Sequence, residues 1–353
     1  MKLGLRDYRA AIISALFFAC MPPGVKLLEK FLPPQSLAGI IYLFAGLGLF
    51  VVLIFTKKMF IAFSHFKRQD VKWLVFVIFF GGVLAPAFFV YGARQMSSSM
   101  SSLLLNLEVV FTALLAWFIF KEHFIWRIFW GISLIVFGCV VLVFHSEIFG
   151  ENNSFWGVIL VGLSCLAWAL DNNFTRQISH LNPLLIAAIK GLLAGTANLS
   201  IGLFLGEQFQ VGVAFWGAGF LGILVVGVSL TAFVISLGKI GTARTGAILA
   251  SPSFIGAFLS LVFLREELSF QLLLSMILIA SGVWLHLSEE HDHEHTHEML
   301  EHAHLHLSDE HHQHKHEGMG ELAEEPHDHW HYHEKLTHRH SHFPDIHHRH
   351  LHE

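Results

Sequence analysis

Long apolar runs, separated by short polar segments, fill the first 287 residues of the chain. A bilayer core about 30 Å thick is crossed by roughly 20 apolar residues of helix. Ten runs have about this length, and the pattern therefore predicts an all-α membrane protein with ten transmembrane helices. We place these helices at about 8–28, 36–55, 71–93, 100–120, 125–144, 154–175, 183–206, 211–236, 244–264 and 270–287.

The composition supports this interpretation. Hydrophobic residues make up 54% of the chain and charged residues 14%, which is too little charge to cover the surface of a soluble protein of this size. The final segment, 289–353, differs sharply from the rest because it holds 22 His, 16 Asp or Glu and four Lys or Arg.

Lys and Arg in the connecting segments predict the orientation, since cytoplasmic loops are enriched in both. With the N-terminus in the cytoplasm, thirteen of these residues fall inside and four outside. Ten spans then return the C-terminus to the cytoplasm. We expect a multi-pass protein of the plasma (inner) membrane, with the lipid bilayer as its first partner.

An internal repeat divides the spans into two sets of five. With a shift of 144 residues, the segment 91–124 aligns without a gap on 235–268, which places Lys121-Glu122 on Arg265-Glu266. Because five is an odd number, the two halves are expected to have opposite orientations, as in many secondary transporters. We expect one five-helix repeat in 1–148, a second in 149–288, and a tail in 289–353.

The repeated segments LLLNLEVVFTALLAWFIFKEHF and ILASPSFIGAFLSLVFLREEL, with GISLIVFGCVVLVF, resemble the paired EamA-type domains of the drug/metabolite transporter superfamily. The resemblance covers residues 8–287. It implies two inverted five-helix halves around a central cavity, alternating access, and small organic solutes as cargo.

Glu108 is the most unusual residue of the spans, because residues 103–120 carry no other charge. A charge at this depth is costly and usually faces a cavity or a partner. Two interpretations remain open: a carboxyl that contacts solute or couples transport, or a carboxyl hydrogen-bonded between helices for packing alone. Asn106 and Thr112 extend the polar patch and favour the first.

Further candidates for solute binding or coupling lie on other spans. Asp171 and Lys190, at similar depths on consecutive helices, are expected to form an ion pair, either an inner gate or a static pair. Asn172 follows Asp171 directly. Ser251 and Pro252 are expected to interrupt span nine. Gly191 and Gly195 predict close helix packing, whereas Glu122 and Glu266, at span ends, predict solvated or loop-capping roles.

The tail has the composition of a metal-binding segment without a packed core, and we expect it to be disordered. Its imidazoles suit zinc, nickel, cobalt or copper. It acts as a regulatory or cargo-loading metal binder, as a passive buffer, or as a pH-responsive polyelectrolyte. The candidate metal ligands are His291, His293, His295, His297, His302, His304, His306, His327, His329, His331 and His333.

Taken together, the sequence predicts a secondary transporter of a small polar metabolite with a metal-binding tail. The main alternative is transport of a divalent metal ion or metal chelate that the tail loads. A membrane-anchored metal store ranks last, since ten spans exceed the needs of an anchor. We expect no enzymatic activity, no required cofactor and no nucleic-acid partner, and a homodimer is compatible with this architecture.

Overall fold

The computed structural model describes residues 5–56, 66–120, 126–144, 155–240, 245 and 248–287, together with four strands of the tail. The chain divides into two compact units, Met1–Ser288 and Glu289–Glu353. Each unit is described by itself below.

Helices form the described part of the first unit. Their bounds are α1 Leu5–Ala19, α2 Met21–Leu28, α3 Pro34–Phe55, α4 Asp70–Val77, α5 Ala85–Ala93, α6 Ser98–Leu104, α7 Leu107–Phe120, α8 Trp126–Val143, α9 Phe155–Arg176, α10 Pro183–Phe204, α11 Val213–Gly222, α12 Ser229–Ile240, α13 Pro252–Phe263 and α14 Phe270–Leu287. Two π-helical segments, π1 Ile78–Leu84 and π2 Ile223–Val228, join α4 to α5 and α11 to α12.

Eight helical stretches are long and apolar enough to cross a membrane, in agreement with the first eight predicted spans. The two other predicted spans correspond to shorter apolar helices, Pro252–Phe263 and Phe270–Leu285. The all-α membrane architecture is thus confirmed, and the total of ten spans stays a prediction.

Glycines bring pairs of helices into backbone contact. The most extensive helix contacts join α3 with α10 and α8 with α14. A Cβ at Gly191 would lie 2.7 Å from the Gly46 backbone, and a Cβ at Gly195 would overlap the Leu43 backbone. The close packing predicted for Gly191 and Gly195 is therefore confirmed. Because lipid tails are as apolar as these side chains, helix association in a bilayer depends on such close approach.

Two irregularities occur at similar positions in the two halves. The π segments begin 145 residues apart, at Ile78 and Ile223. Helices α7 and α13, which both follow an interruption, also begin 145 residues apart. This spacing is close to the 144-residue shift of the sequence alignment, so the irregularities occur at nearly equivalent positions of the two aligned segments.

The tail contains strands where the sequence predicted disorder, and that prediction is wrong for four segments: β1 His291–His297, β2 Leu300–His306, β3 His327–His333 and β4 Leu336–His342. β1 pairs with β4 and β2 with β3, both antiparallel. In the register, His293 lies opposite His340 and His304 opposite His329. Alternation of His with other residues has the two-residue period of a strand, and pairing satisfies the backbone groups.

Candidate functional site

The span that carries Glu108 is not one continuous helix. α6 ends at Leu104 and α7 begins at Leu107. Asn106, which is 4% exposed, donates its side-chain Nδ2 to the Leu103 carbonyl oxygen at 2.9 Å. Asn side chains compete in this way with the helical hydrogen bonds. The predicted single span is therefore divided at Leu105–Asn106, and Asn106 stabilises the interruption.

Glu108 is the second residue of α7 and contacts the neighbouring helix α9. Asn172 Nδ2 donates a hydrogen bond to Glu108 Oε1 at 2.8 Å. Glu108 is half-buried and Asn172 is exposed. Polar side chains exposed at this position along a span require a water-filled cavity, because hydrocarbon offers them no hydrogen bond. The pair is thus suited to contact a solute.

The expected ion pair between Asp171 and Lys190 is present. Lys190 Nζ lies 2.7 Å from Asp171 Oδ2, and the two side chains are 19% and 5% exposed, respectively. Thr175 Oγ1 donates to the second carboxylate oxygen, Oδ1, at 3.3 Å. Each charge is therefore compensated at short range, as burial in a span requires.

The π1 segment makes room for this ion pair. A Cβ at Gly81 would overlap the Asp171 carboxyl group, and a Cβ at Gly82 would lie 3.1 Å from Lys190 Cγ. π segments are rare and are frequently found at functional sites. Here π1 carries two adjacent glycines past the ion pair, so the backbone of this span forms one wall of the site.

Two aromatic residues that the sequence analysis missed complete the site. Tyr42 on α3 donates its hydroxyl to the Gly81 carbonyl oxygen at 3.1 Å and accepts from Trp168 Nε1 at 3.3 Å. Tyr is scarce in the chain, with four residues, and this scarcity was the available signal. We name the set Tyr42, Glu108, Trp168, Asp171, Asn172 and Lys190 the central polar cluster.

The remaining predicted site residues are Thr112, Ser251 and Pro252. Thr112, one helical turn after Glu108, has a buried hydroxyl without a hydrogen-bond partner among the described residues. Ser251 donates its hydroxyl to the Ile248 carbonyl oxygen at 2.6 Å, and Pro252 begins α13. Span nine is thus interrupted there as predicted. No hydrogen bond within the described region connects Ser251 to Glu108.

Glutamates from the second half cap helices of the first half at one end of the bundle. We call this end, where α3 and α6 begin, the outer end, after the orientation that the charge pattern of the sequence predicts. Glu266 accepts the backbone N–H groups of Ser98 and Ser99 at 2.6 and 2.9 Å. Glu207, which the sequence analysis missed, accepts those of Gln35 and Ser36 at 3.1 and 2.8 Å. The capping role expected for Glu266 is confirmed; Glu122 lies outside the described residues.

A preassembled metal site is absent from the residues that the structure describes. No group of three or more His, Cys, Asp or Glu lies close enough there to hold a metal ion. The eleven candidate His ligands of the tail belong to β1, β2 and β3, and their side chains lie outside the described residues. Metal binding by the tail therefore stays a prediction.

Comparison with known proteins identifies relatives across most of the chain. An uncharacterized transporter of Methanothermobacter thermautotrophicus is 28% identical over 295 residues, covering 80% of this chain and 86% of its own. The uncharacterized transporter YvbV of Bacillus subtilis is 26% identical over 269 residues, covering 72% and 82%.

A solved crystal structure has a similar fold, with a TM-score of 0.58 at 16% identity; the match covers 79% of this chain and 96% of that one. The model of the EamA-like transporter family matches residues 8–144 and again residues 155–288. These two matches cover most of the chain and confirm the resemblance found in the sequence. The chain belongs to the EamA-like transporter family, and it is a multi-pass membrane transporter.

Proposed function

We propose that this protein is a secondary transporter that moves a small polar metabolite across the plasma (inner) membrane. Two inverted five-helix repeats would alternate access to the central polar cluster, with both termini in the cytoplasm. The observation that supports this proposal most is the hydrogen bond between half-buried Glu108 and exposed Asn172 beside an interrupted helix. Interrupted helices are typical of transporter binding sites because they leave polar groups facing the cavity.

The charges of the central polar cluster define what each residue offers to a solute. Lys190 and Asp171 compensate each other, whereas Glu108 receives an amide hydrogen bond from Asn172. Glu108 therefore provides a carboxyl group for a polar solute or for a proton, and Asn172 provides an amide. Trp168 and Tyr42 add aromatic surface next to these groups. We infer that Glu108 and Asn172 contact the solute and that the ion pair stabilises the closed inner side.

The tail gives a second candidate function, in which a divalent metal ion or a metal chelate is the cargo. Its support is the density of imidazoles, 22 in the last 65 residues, and the register that places His opposite His on paired strands. Neutral imidazole is a strong ligand for zinc, nickel, cobalt and copper. In the first proposal, the same tail binds metal as a regulator.

Transport by purified protein in proteoliposomes separates these candidates. The vesicles are loaded with a fractionated metabolite extract, and efflux is followed by mass spectrometry, with and without zinc. Efflux of an organic solute by the full chain, and by a chain cut after Ser288, supports the first proposal. Zinc flux that depends on residues 289–353 supports the second. Vesicles prepared without protein provide the background.

A further inference from the structure

A groove lies between α1, α3 and the π2–α12 segment, and no residue of the central polar cluster lines it. Its volume is about 610 Å³. The lining is apolar except for Arg9 and Thr231, and the Thr231 hydroxyl already donates to the Gly227 carbonyl oxygen at 2.8 Å. The groove is therefore an apolar cleft with one positively charged side chain, that of Arg9.

Small residues keep this groove open. A Cβ at Gly227 would meet no atom within 4 Å, and a Cβ at Gly48 would meet only Ile223 side-chain atoms, the nearest at 3.4 Å. Ala10 and Ala232 also line it. Larger side chains at these positions would fill the space. The groove therefore results from the small size of these residues and not from loose helix packing.

The helices beside the groove present large apolar side chains outward. Ile12 and Leu16 on α1 are 40% and 48% exposed, and Leu47 and Val51 on α3 are 46% and 48% exposed. Apolar surface of this kind along a membrane span faces acyl chains. The groove thus opens among side chains that lie against lipid.

Arg9 lies at the end of the groove where α3 and α12 finish, and it is exposed. It forms no ion pair or hydrogen bond with any side chain in the described part of the chain. A long basic side chain at the end of a span reaches the headgroup level. Its guanidinium group binds phosphate oxygens in pairs, which an ammonium group does not do.

We propose that this groove binds one anionic phospholipid, with an acyl chain along Gly48 and Gly227 and the headgroup phosphate on Arg9. Basic pockets between spans are typical sites for anionic lipid headgroups. This site is independent of the solute, and it predicts a lipid preference of the transporter.

Native mass spectrometry of the full chain in detergent tests the proposal, with phosphatidylglycerol and phosphatidylcholine of identical acyl chains as probes. We expect phosphatidylglycerol to be retained at least about fivefold more, because a hydrogen-bonded charge contact is lost with a neutral headgroup. Arg9→Gln should remove this preference. Arg94→Gln, which changes an exposed arginine at the outer end, should keep it.

Substitutions that fill the groove test whether a lipid acyl chain binds in it. Gly227→Leu should reduce retention of both lipids, whereas Gly162→Leu, another glycine without neighbours within 4 Å of its Cβ, should not. Ala10→Leu serves as a second filling variant if Gly227→Leu does not fold. Equal retention of both lipids by the unmodified chain would overturn the proposal. So would an unchanged preference in Arg9→Gln, or full retention in the filled variants.

Discussion

Glu266 accepts the backbone N–H of Ser98 at 2.6 Å, and this contact joins the loop between α13 and α14 to the first residue of α6. A carboxylate stabilises a helix N-terminus because it satisfies free N–H groups and interacts favourably with the helix dipole. Ser260 adds a hydrogen bond from its hydroxyl to that of Ser98 at 2.8 Å. The outer end is thus held by contacts between the two halves.

We expect Glu266→Gln to weaken this outer contact, because one of the two accepting oxygens is replaced by a donor. A hydrogen bond to a charged group contributes about 1.5–3 kcal/mol, so thermal unfolding in detergent should shift downward. Glu267→Gln is the matched control, since Glu267 is an exposed neighbouring carboxylate. Equal unfolding temperatures for the two variants would mean that the cap contributes nothing to stability.

Glu108→Gln should preserve insertion and folding but abolish transport, or its pH dependence, because the amide keeps the size of the side chain and loses the exchangeable proton. Transport in proteoliposomes at several pH values is the measurement. Glu108→Asp keeps the carboxyl and should retain part of the activity. A fully active Gln variant with an unaltered pH profile would leave only the packing interpretation.

The hydroxyl of Thr112 offers a separate test of the predicted solute site. Because it is buried without a partner among the described residues, Thr112→Val should leave unfolding unchanged or stabilise the protein by up to about 1–3 kcal/mol. A loss of transport at unchanged stability would show that the solute uses this hydroxyl. Unchanged transport would remove Thr112 from the predicted site.

Single substitutions in the Asp171–Lys190 pair should be far more damaging than the double substitution. Lys190→Met leaves a buried carboxylate without its cation, which costs about 3–5 kcal/mol. The double variant Asp171→Asn, Lys190→Gln removes both charges and should recover most of the stability. If the pair is a gate, the recovered protein will transport poorly or leak; normal transport would identify a static pair.

Gly81→Ala should destabilise the protein, because its Cβ would overlap the Asp171 carboxyl group. Forced overpacking typically costs about 1–3 kcal/mol. Gly162→Ala places the same methyl group where no atom lies within 4 Å and should be neutral or slightly stabilising. Thermal unfolding of the two variants side by side decides whether π1 tolerates any side chain at this position.

Apolar run lengths were sufficient to locate eight spans, because crossing a bilayer imposes a minimum length on a helix. The Asp171–Lys190 pair was also foreseeable, since two opposite charges at similar depth on consecutive helices compensate each other. The contacts of Tyr42 with Gly81 and Trp168 were not foreseeable, because they depend on which helix faces which. The interruption at Asn106 escaped detection because one amide does not alter the apolar pattern.

The strands of the tail were missed for a different reason. Composition indicates whether a segment can bury a core, and the tail cannot. Strand pairing depends instead on the two-residue alternation of His with other residues, which composition does not describe. Glu207 was overlooked because a carboxylate in a loop gives no local sign that its partner is the distant start of α3.

The π segments have a consequence for how these spans can vary in length. A π turn holds one residue more than an α-turn, and each residue of an α-helix advances the side-chain direction by about 100°, since 3.6 residues complete a turn. Deleting one residue within π1 would let α4 and α5 join as a regular helix, yet would move Gly81 or Gly82 away from the ion pair. The extra residue therefore determines the direction in which the side chains of α5 point relative to those of α4. We therefore expect this span to tolerate insertions on either side of π1 only when they add about a whole number of helical turns.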